Sequence, residues 1–261
     1  MFDIHYHLIF GVDDGPKSLE SSIKLAETSI AEGVTHIVAT PHASDRYPYQ
    51  PEVNRERLEI LSERFAGQLT LGLGCDFHLS YDNLQEFEKE PKKFTVNGSK
   101  YLLVEFPDYV NYDTYSDVFF RIMVAGVTPI ITHPERNPSL VAKPSPIIEW
   151  VRIGCLVQVT AASLWGHFGS RSEALARILV RGNYVHIIAS DAHNMQSRPP
   201  AMAKAFDSLK KDFGLETAER LCLHNPRAIF LGENLPSQPE ANGPLYEKNP
   251  PKAGFFNRFF R

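Results

Sequence analysis

Seven short apolar runs, ending near residues 5, 40, 74, 104, 132, 160 and 190, recur along the chain with room for a helix between most neighbours. They are rich in Val and Ile and read as parallel strands buried on both faces. Between them, residues 18–32, 52–66, 115–125, 145–153 and 172–181 carry helix-like apolar spacing. Gly33, Gly126, Gly154 and Gly182 stop four of these segments, as glycine does at a helix C-terminus. This rhythm predicts repeated βα units, and seven of them suggest a barrel. Residues 200–213 and 216–223 read as closing helices.

A chain of 261 residues is long enough for one large α/β domain with a buried core. The net charge of −4 gives no reason to expect nucleic acid as the main partner. Cys75, Cys155 and Cys222 are odd in number and lack CxxC spacing, so they read as reduced thiols in a cytoplasmic protein. No signal-peptide pattern opens the chain, and no apolar run approaches the ~20 residues of a membrane span. The expected domain is 1–232. From residue 233 to 261 the sequence becomes rich in Pro and Asn, which predicts a flexible tail. Its last eight residues hold four Phe and two Arg. That end could dock on a partner or a membrane surface; the preferred reading is that it folds back on its own domain or on a neighbouring subunit of a homo-oligomer.

The residues that follow the strands carry the chemistry. His5 and His7 close the first run, with Asp13 and Asp14 in the next loop. His42, Asp76, Glu105 and His133 end the following runs, and Asp191 and His193 end the last. Side chains at one end of parallel strands converge in space. A cluster of imidazoles and carboxylates suits Mn, Fe or Zn better than an all-oxygen Mg or Ca site. The residues therefore point to a metal-dependent hydrolase. His36 and His186 stand near strand starts and read as structural, His224 as a helix-end residue, and His78 and His167 as loop residues. Asp13 reads as a turn residue or a support for a ligand.

The motifs resemble the polymerase-and-histidinol-phosphatase (PHP) superfamily, and most closely its bacterial protein-tyrosine phosphatases that regulate capsule and exopolysaccharide assembly. The matching segments are Phe2-Asp3-Ile4-His5-Tyr6-His7, Val12-Asp13-Asp14-Gly15-Pro16, Thr40-Pro41-His42, Gly74-Cys75-Asp76, Leu103-Val104-Glu105-Phe106, Thr132-His133-Pro134-Glu135-Arg136, Ala189-Ser190-Asp191-Ala192-His193 and Arg198-Pro199-Pro200. The resemblance implies a distorted (β/α)7 barrel with a three-metal site at the C-terminal ends of its strands, Mn being the preferred ion. It implies that His5, His7, Asp76 and Asp191 hold one ion, Asp76, Glu105 and His133 a second, and Asp14, His42 and His193 a third. Relatives usually carry Glu at the bridging position, where this chain has the shorter Asp76, with His78 close enough in sequence to compensate. Arg136 and Arg198 would clamp phosphate, and a metal-activated water would be the nucleophile. Glu135 has no assigned role.

The function so implied is hydrolysis of phosphotyrosine on a protein, expected to be a bacterial tyrosine kinase controlling polysaccharide synthesis. No thiol route competes, because Tyr81, Ala161 and Ala228 stand where a Cys-x5-Arg loop needs arginine. Tyr47, Tyr49, Tyr109, Tyr112 and Tyr115 are candidates for an aromatic wall, though each can equally cover the barrel mouth. Two alternatives remain: a small-molecule phosphatase such as one for histidinol phosphate, and a non-catalytic PHP-like binding module.

Overall fold

A computed structural model describes residues 1–107 and 115–242. Its first half runs β1 (Phe2–Tyr6), α1 (Leu19–Ala31), β2 (His36–Ala39), β3 (His42–Ala43), α2 (Pro51–Arg64), β4 (Thr70–Leu73), β5 (Asp76–His78), α3 (Tyr81–Lys89) and β6 (Tyr101–Glu105). The second half runs α4 (Tyr115–Val124), β7 (Thr128–Thr132), α5 (Pro138–Ala142), α6 (Ser145–Arg152), β8 (Leu156–Thr160), α7 (Ser170–Arg181), β9 (Ile187–Ala189), α8 (Met202–Phe213), α9 (Leu215–Glu219) and α10 (Asn225–Leu231). All strand pairs are parallel, in a three-stranded sheet β1-β2-β4 and a six-stranded sheet β3-β5-β6-β7-β8-β9. The fold is therefore α/β with parallel sheets.

Adjacent residues of the strands enter different cores. Val38, Leu103, Ile130 and Ile187 join the smaller cluster with Ile229 of α10, while Ile37, Leu102, Ile131 and Ile188 pack in the larger one with the helices. Burial on both faces explains why the runs read as continuously apolar.

Two of the seven expected runs are each split into two strands. Thr40-Pro41 separates β2 from β3, and Gly74-Cys75 separates β4 from β5. Proline has no N–H to give a ladder, and the Pro41 carbonyl instead accepts from Asp76 N at 3.1 Å. Beyond the breaks His42 and Asp76 pair directly across β3 and β5. At the free edges, Asp191 N donates to His5 O at 2.9 Å and His7 N to Ala192 O at 3.0 Å. Asp3 Oδ1 adds an acceptor for Ser190 N at 3.0 Å, so the chain's first and last strands are tied together.

The helices largely follow the apolar spacing. Ser18 caps α1, its hydroxyl accepting from Ser21 N at 3.3 Å. Periodicity does not announce α3, in which Phe87 is the one fully buried residue. Nor does it announce α10: residues Arg220–His224 form a π turn that leads on into α10 rather than ending at His224. Pro226 sits in the first turn of α10, where its fixed φ suits the helix. Ordered contacts also continue past residue 232. Tyr101 Oη donates to Glu233 O at 2.6 Å, Gln238 Nε2 donates to Asn225 Oδ1 at 2.8 Å, and Asn242 N donates to Gly182 O at 3.2 Å. The rest of the expected tail, including its Phe/Arg-rich end, lies outside the described residues.

Trp150 is 1% exposed, stacks on Phe106 with centroids 5.0 Å apart and meets the edge of Phe119 at 5.4 Å. Phe106 directly follows Glu105, so this aromatic group packs beside the end of β6. Trp150→Ala is expected to cost about 3–5 kcal/mol in urea unfolding; an unchanged midpoint would contradict this packing.

Candidate metal centre

His5 and His7 alternate with Tyr6, which turns both imidazoles the same way, with ring centroids 5.5 Å apart. Asp76 opens β5, Glu105 ends β6, and His133 follows β7. His133 and Asp191 both lie in the left-handed region, at φ 32° and 54°. Non-glycine residues rarely adopt that conformation, and it commonly marks functional positions. Gly15 is required by a close approach, since a Cβ there would stand 2.7 Å from His7 O and 2.9 Å from Asp13 Oδ1.

All nine residues expected as ligands come together. Their donor atoms fall into four overlapping groups: His7, Asp14, His42 and His193; His5, His7 and Asp76; His5, His133 and Asp191; and His42, Asp76 and Glu105. His5 Nε2 stands 3.5 Å from Asp76 Oδ2 and 3.4 Å from Asp191 Oδ1. His42 Nδ1 is 3.4 Å from the same Asp76 oxygen, and its Nε2 is 3.3 Å from Asp14 Oδ1. His193 Nε2 is 3.3 Å from that Asp14 oxygen, and His133 Nε2 is 3.6 Å from Glu105 Oε1. These separations are long for hydrogen bonds. They match two donors sharing one ion, which at ~2.1 Å bonds and tetrahedral angles stand about 3.4 Å apart. The shorter Asp76 thus reaches both His5 and His42, while His78 Nδ1 lies 3.8 Å from Glu105 Oε2 rather than beside Asp76.

Supporting groups hold three imidazoles by their other nitrogen. His5 Nδ1 donates to Gln158 Oε1 at 2.9 Å, His7 Nδ1 to Asp13 Oδ2 at 2.7 Å, and His193 Nδ1 to the Asp191 carbonyl at 2.9 Å. Each bond leaves Nε2 with its lone pair turned inward. Sequence patterns had not singled out Gln158; its signal is an amide inside the apolar strand Leu156–Thr160. The test of fit is then direct. His5 Nε2, His7 Nε2, His193 Nε2, Asp76 Oδ2 and Asp191 Oδ1 are all buried and have no hydrogen-bond partner. Native structures rarely leave buried polar atoms in this condition. Five electron-pair donors facing one another are what divalent cations satisfy.

The electrostatics agree. Burial, His193 and His42 push His7 down to about 3, and burial with Arg136 puts His133 well below its ordinary value. Both are thereby kept as neutral imidazoles, the form that binds metal. Burial opposes charge on His5 and His42, yet carboxylates outweigh it: Asp76 and Asp191 lift His5 to about 9, and Asp14 and Asp76 lift His42 to about 11. The carboxylates hold positive charge tightly, so metal and protons compete for the same atoms.

Arg136 and Arg198 both reach Asp191 Oδ2, leaving Oδ1 towards His5 and His7. The Arg136 guanidinium also lies over the Phe168 ring at 4.3 Å. Both arginines are partly exposed at the mouth. Tyr47 stacks near His42 with centroids 5.8 Å apart. Tyr49 Oη donates to Gly74 O and Tyr115 packs against Phe106, so these two are tied into the frame. Tyr109 and Tyr112 lie outside the described residues. His36 stacks on Phe2 and His186 Nδ1 accepts from Val157 N, both away from the cluster. His167 Nε2 donates to Ser197 O. Cys75, Cys155 and Cys222 are free and buried. Glu135 is wholly buried, its Oε1 accepting from Thr160 N at 3.0 Å and Ser163 Oγ at 2.7 Å, which pins the turn after His133 to β8.

A parallel α/β frame that gathers imidazoles and carboxylates where its strands end defines a metal-dependent hydrolase type of site. Comparison with known proteins narrows this. The family described as capsular polysaccharide synthesis, CpsB/CapC, matches residues 1–231. The tyrosine-protein phosphatase CpsB of Streptococcus pneumoniae is 34% identical over 242 residues, covering 89% of this chain and 99% of the relative. The putative tyrosine-protein phosphatase CapC of Staphylococcus aureus is 36% identical, covering 91% and 94%. A solved structure from work on YwqE of Bacillus subtilis and CpsB of S. pneumoniae, described as unique metal-dependent tyrosine phosphatases, superposes with a TM-score of 0.85 at 31% identity, covering 93% of this chain and 99% of that one. The chain belongs to the CpsB/CapC family.

Two outcomes follow from this geometry. Gln158→Leu should keep the fold by circular dichroism while weakening metal retention about 10–100-fold in chelator competition; unchanged retention would remove Gln158 from that role. Burial pushes Glu135 up to about 7 from an ordinary 4.5, so the folded state holds its proton more tightly than the unfolded one. Its stabilising contribution is complete below pH 4.5 and lost as pH rises through about 7. Glu135→Gln should therefore lose less stability than the parent between pH 5 and 8 in urea titrations. Parallel losses would contradict the shift.

Proposed function

We propose that this chain is a metal-dependent protein-tyrosine phosphatase acting in capsular or exopolysaccharide synthesis. The observation that carries the reading is the set of buried, unpartnered donor atoms on His5, His7, Asp76, Asp191 and His193, in a chain whose relatives are named tyrosine-protein phosphatases. In this reading residues 1–232 are the phosphatase domain, a distorted (β/α)7 barrel closed by the β1–β9 bonds, and 233–261 its tail. His5, His7, Asp76 and Asp191 hold one divalent ion, Asp76, Glu105 and His133 a second, and Asp14, His42 and His193 a third, with Mn preferred. Pair spacings within each set support that partition: His5 stands 3.5 Å from Asp76 and 3.4 Å from Asp191, His133 3.6 Å from Glu105, and Asp14 3.3 Å from both His42 and His193.

Bound divalent ions supply a lowered pKa for water and neutralise phosphoryl charge. The chain supplies the rest. Arg136 and Arg198 offer planar guanidinium forks to the phosphoryl oxygens. Asp191 Oδ2 holds both forks at the mouth before substrate arrives, and Phe168 supports the Arg136 plane. Tyr47 beside His42 gives the substrate ring a stacking surface. A phenol leaving group has a pKa of ~10, so departure asks little of a general acid. The substrate is a tyrosine-phosphorylated protein, a tyrosine kinase being the favoured candidate, met in the cytoplasm. Among the described residues no helix is long and apolar enough to cross a membrane.

Mn-loaded protein is expected to hydrolyse a tyrosine phosphopeptide, with EDTA and His42→Ala each lowering the initial rate by about 100-fold or more. Arg198→Ala should raise KM more than it lowers kcat. Loaded protein that ignores phosphotyrosine but turns over a small phosphate ester would overturn the protein-phosphatase reading in favour of a small-molecule phosphatase.

A further inference from the structure

A groove of about 530 Å3 leaves the metal centre between α1 and the segment after His193. Asp14 and His193, both members of the donor cluster, form its inner end. Lys17, Ser21, Lys24 and Leu25 line one side, and Asn194, Met195, Gln196 and Ser197 the other. Ser21, Lys24 and Leu25 share one face of α1, being three or four positions apart, and Lys17 stands just before the Ser18 cap. The second is a preorganised turn: Asn194 Oδ1 accepts from the backbone N–H groups of Gln196, Ser197 and Arg198 at 3.0, 2.7 and 3.3 Å. His167 Nε2 braces it by donating to Ser197 O at 2.6 Å. The two walls touch where Thr28 Oγ1 donates to Met195 Sδ at 3.7 Å.

The charge of the groove runs against that of the molecule. The whole chain carries −4, yet beyond Asp14 the charged lining residues are Lys17 and Lys24, both exposed. Lys17 Nζ donates to Asp13 O at 2.5 Å, which holds its ammonium at the inner end. Asp14 is a candidate ligand, so its charge is directed to the metal centre. Lys24 lies seven positions further along, on α1. A single phosphate at the centre cannot fill a groove of about 530 Å3, whereas the residues beside a phosphotyrosine can.

We infer that this groove takes the peptide flanking the substrate phosphotyrosine and selects anionic side chains there, with Lys24 as the outer specificity residue. The inference rests on the phosphatase reading above and adds a preference among its substrates. The anion could be a carboxylate or a second phosphotyrosine, since both match an ammonium.

The test uses the Mn-loaded full chain, p-nitrophenyl phosphate, and three phosphotyrosine peptides flanked by neutral residues, by Glu, or by a second phosphotyrosine. Anionic flanks should raise kcat/KM about tenfold at low salt, an advantage that shrinks as salt screens the lysines. Lys24→Glu should abolish the advantage and leave p-nitrophenyl phosphate turnover unchanged. Gain with both flanks marks general anion selection, and gain with one identifies the source. Equal kcat/KM for all peptides, or a preference that survives Lys24→Glu, would overturn the inference while leaving the phosphatase reading intact. Fluorescence anisotropy with the same labelled peptides reads the groove without turnover. Absent hydrolysis together with Lys24-dependent binding would then count against the activity alone, and binding indifferent to Lys24→Glu would count against the groove.

Discussion

Five imidazoles and four carboxylates converge at one pole of this molecule, most of them buried, and the rest of the structure is arranged around the cost of keeping them there. Isolated buried charges are strongly unfavourable, and buried polar atoms without partners nearly as much so. The chain relieves part of the cost with its own groups. Gln158, Asp13 and the Asp191 carbonyl each satisfy one nitrogen of a histidine. Arg136 and Arg198 satisfy one oxygen of Asp191. Among the nine donor residues, the buried atoms left unsatisfied are Nε2 of three histidines and one oxygen each of Asp76 and Asp191. The supporting bonds thus select the atoms that face the common space.

Backbone geometry serves the same end. The interruptions at Thr40-Pro41 and Gly74-Cys75 let two strands leave one sheet and enter the other with His42 and Asp76 side by side. Left-handed φ at His133 and Asp191 redirects each chain at its strand end. Such conformations cost of order 1–3 kcal/mol each and persist where surrounding structure over-determines them. Here that structure includes the Asp191 N bond to His5 O and the Glu135 anchor after His133. Fold and site are coupled, because the bonds that join β1 to β9 also position His5, His7 and Asp191.

Much of this was legible in sequence because parallel strands are buried on both faces and end together. Apolar runs mark the strands, and the residues following them include the nine that converge. Helices with strong apolar stripes, such as α1 and α7, were equally plain. Short elements were not: α3 spans nine residues and fully buries Phe87 alone, and α10 is hidden behind a π turn and a proline. The supporting residues were harder for a different reason. Gln158 acts on His5 across 153 positions, and Glu135 acts on Thr160 across 25; no local pattern encodes such pairings. An amide inside an apolar strand was the available clue for Gln158. The packing of 233–242 was also hidden, since proline-rich composition predicts flexibility while hydrogen bonds such as Gln238 to Asn225 are specific to place.

The most direct test of the account is to locate metal. Protein loaded with Mn and freed of excess ion should be analysed by inductively coupled plasma mass spectrometry and by anomalous diffraction from its crystals. The account predicts three ions per chain, with anomalous peaks enclosed by His5, His7, Asp14, His42, Asp76, Glu105, His133, Asp191 and His193. A chain that retains no metal, or that binds it away from these residues, would contradict it.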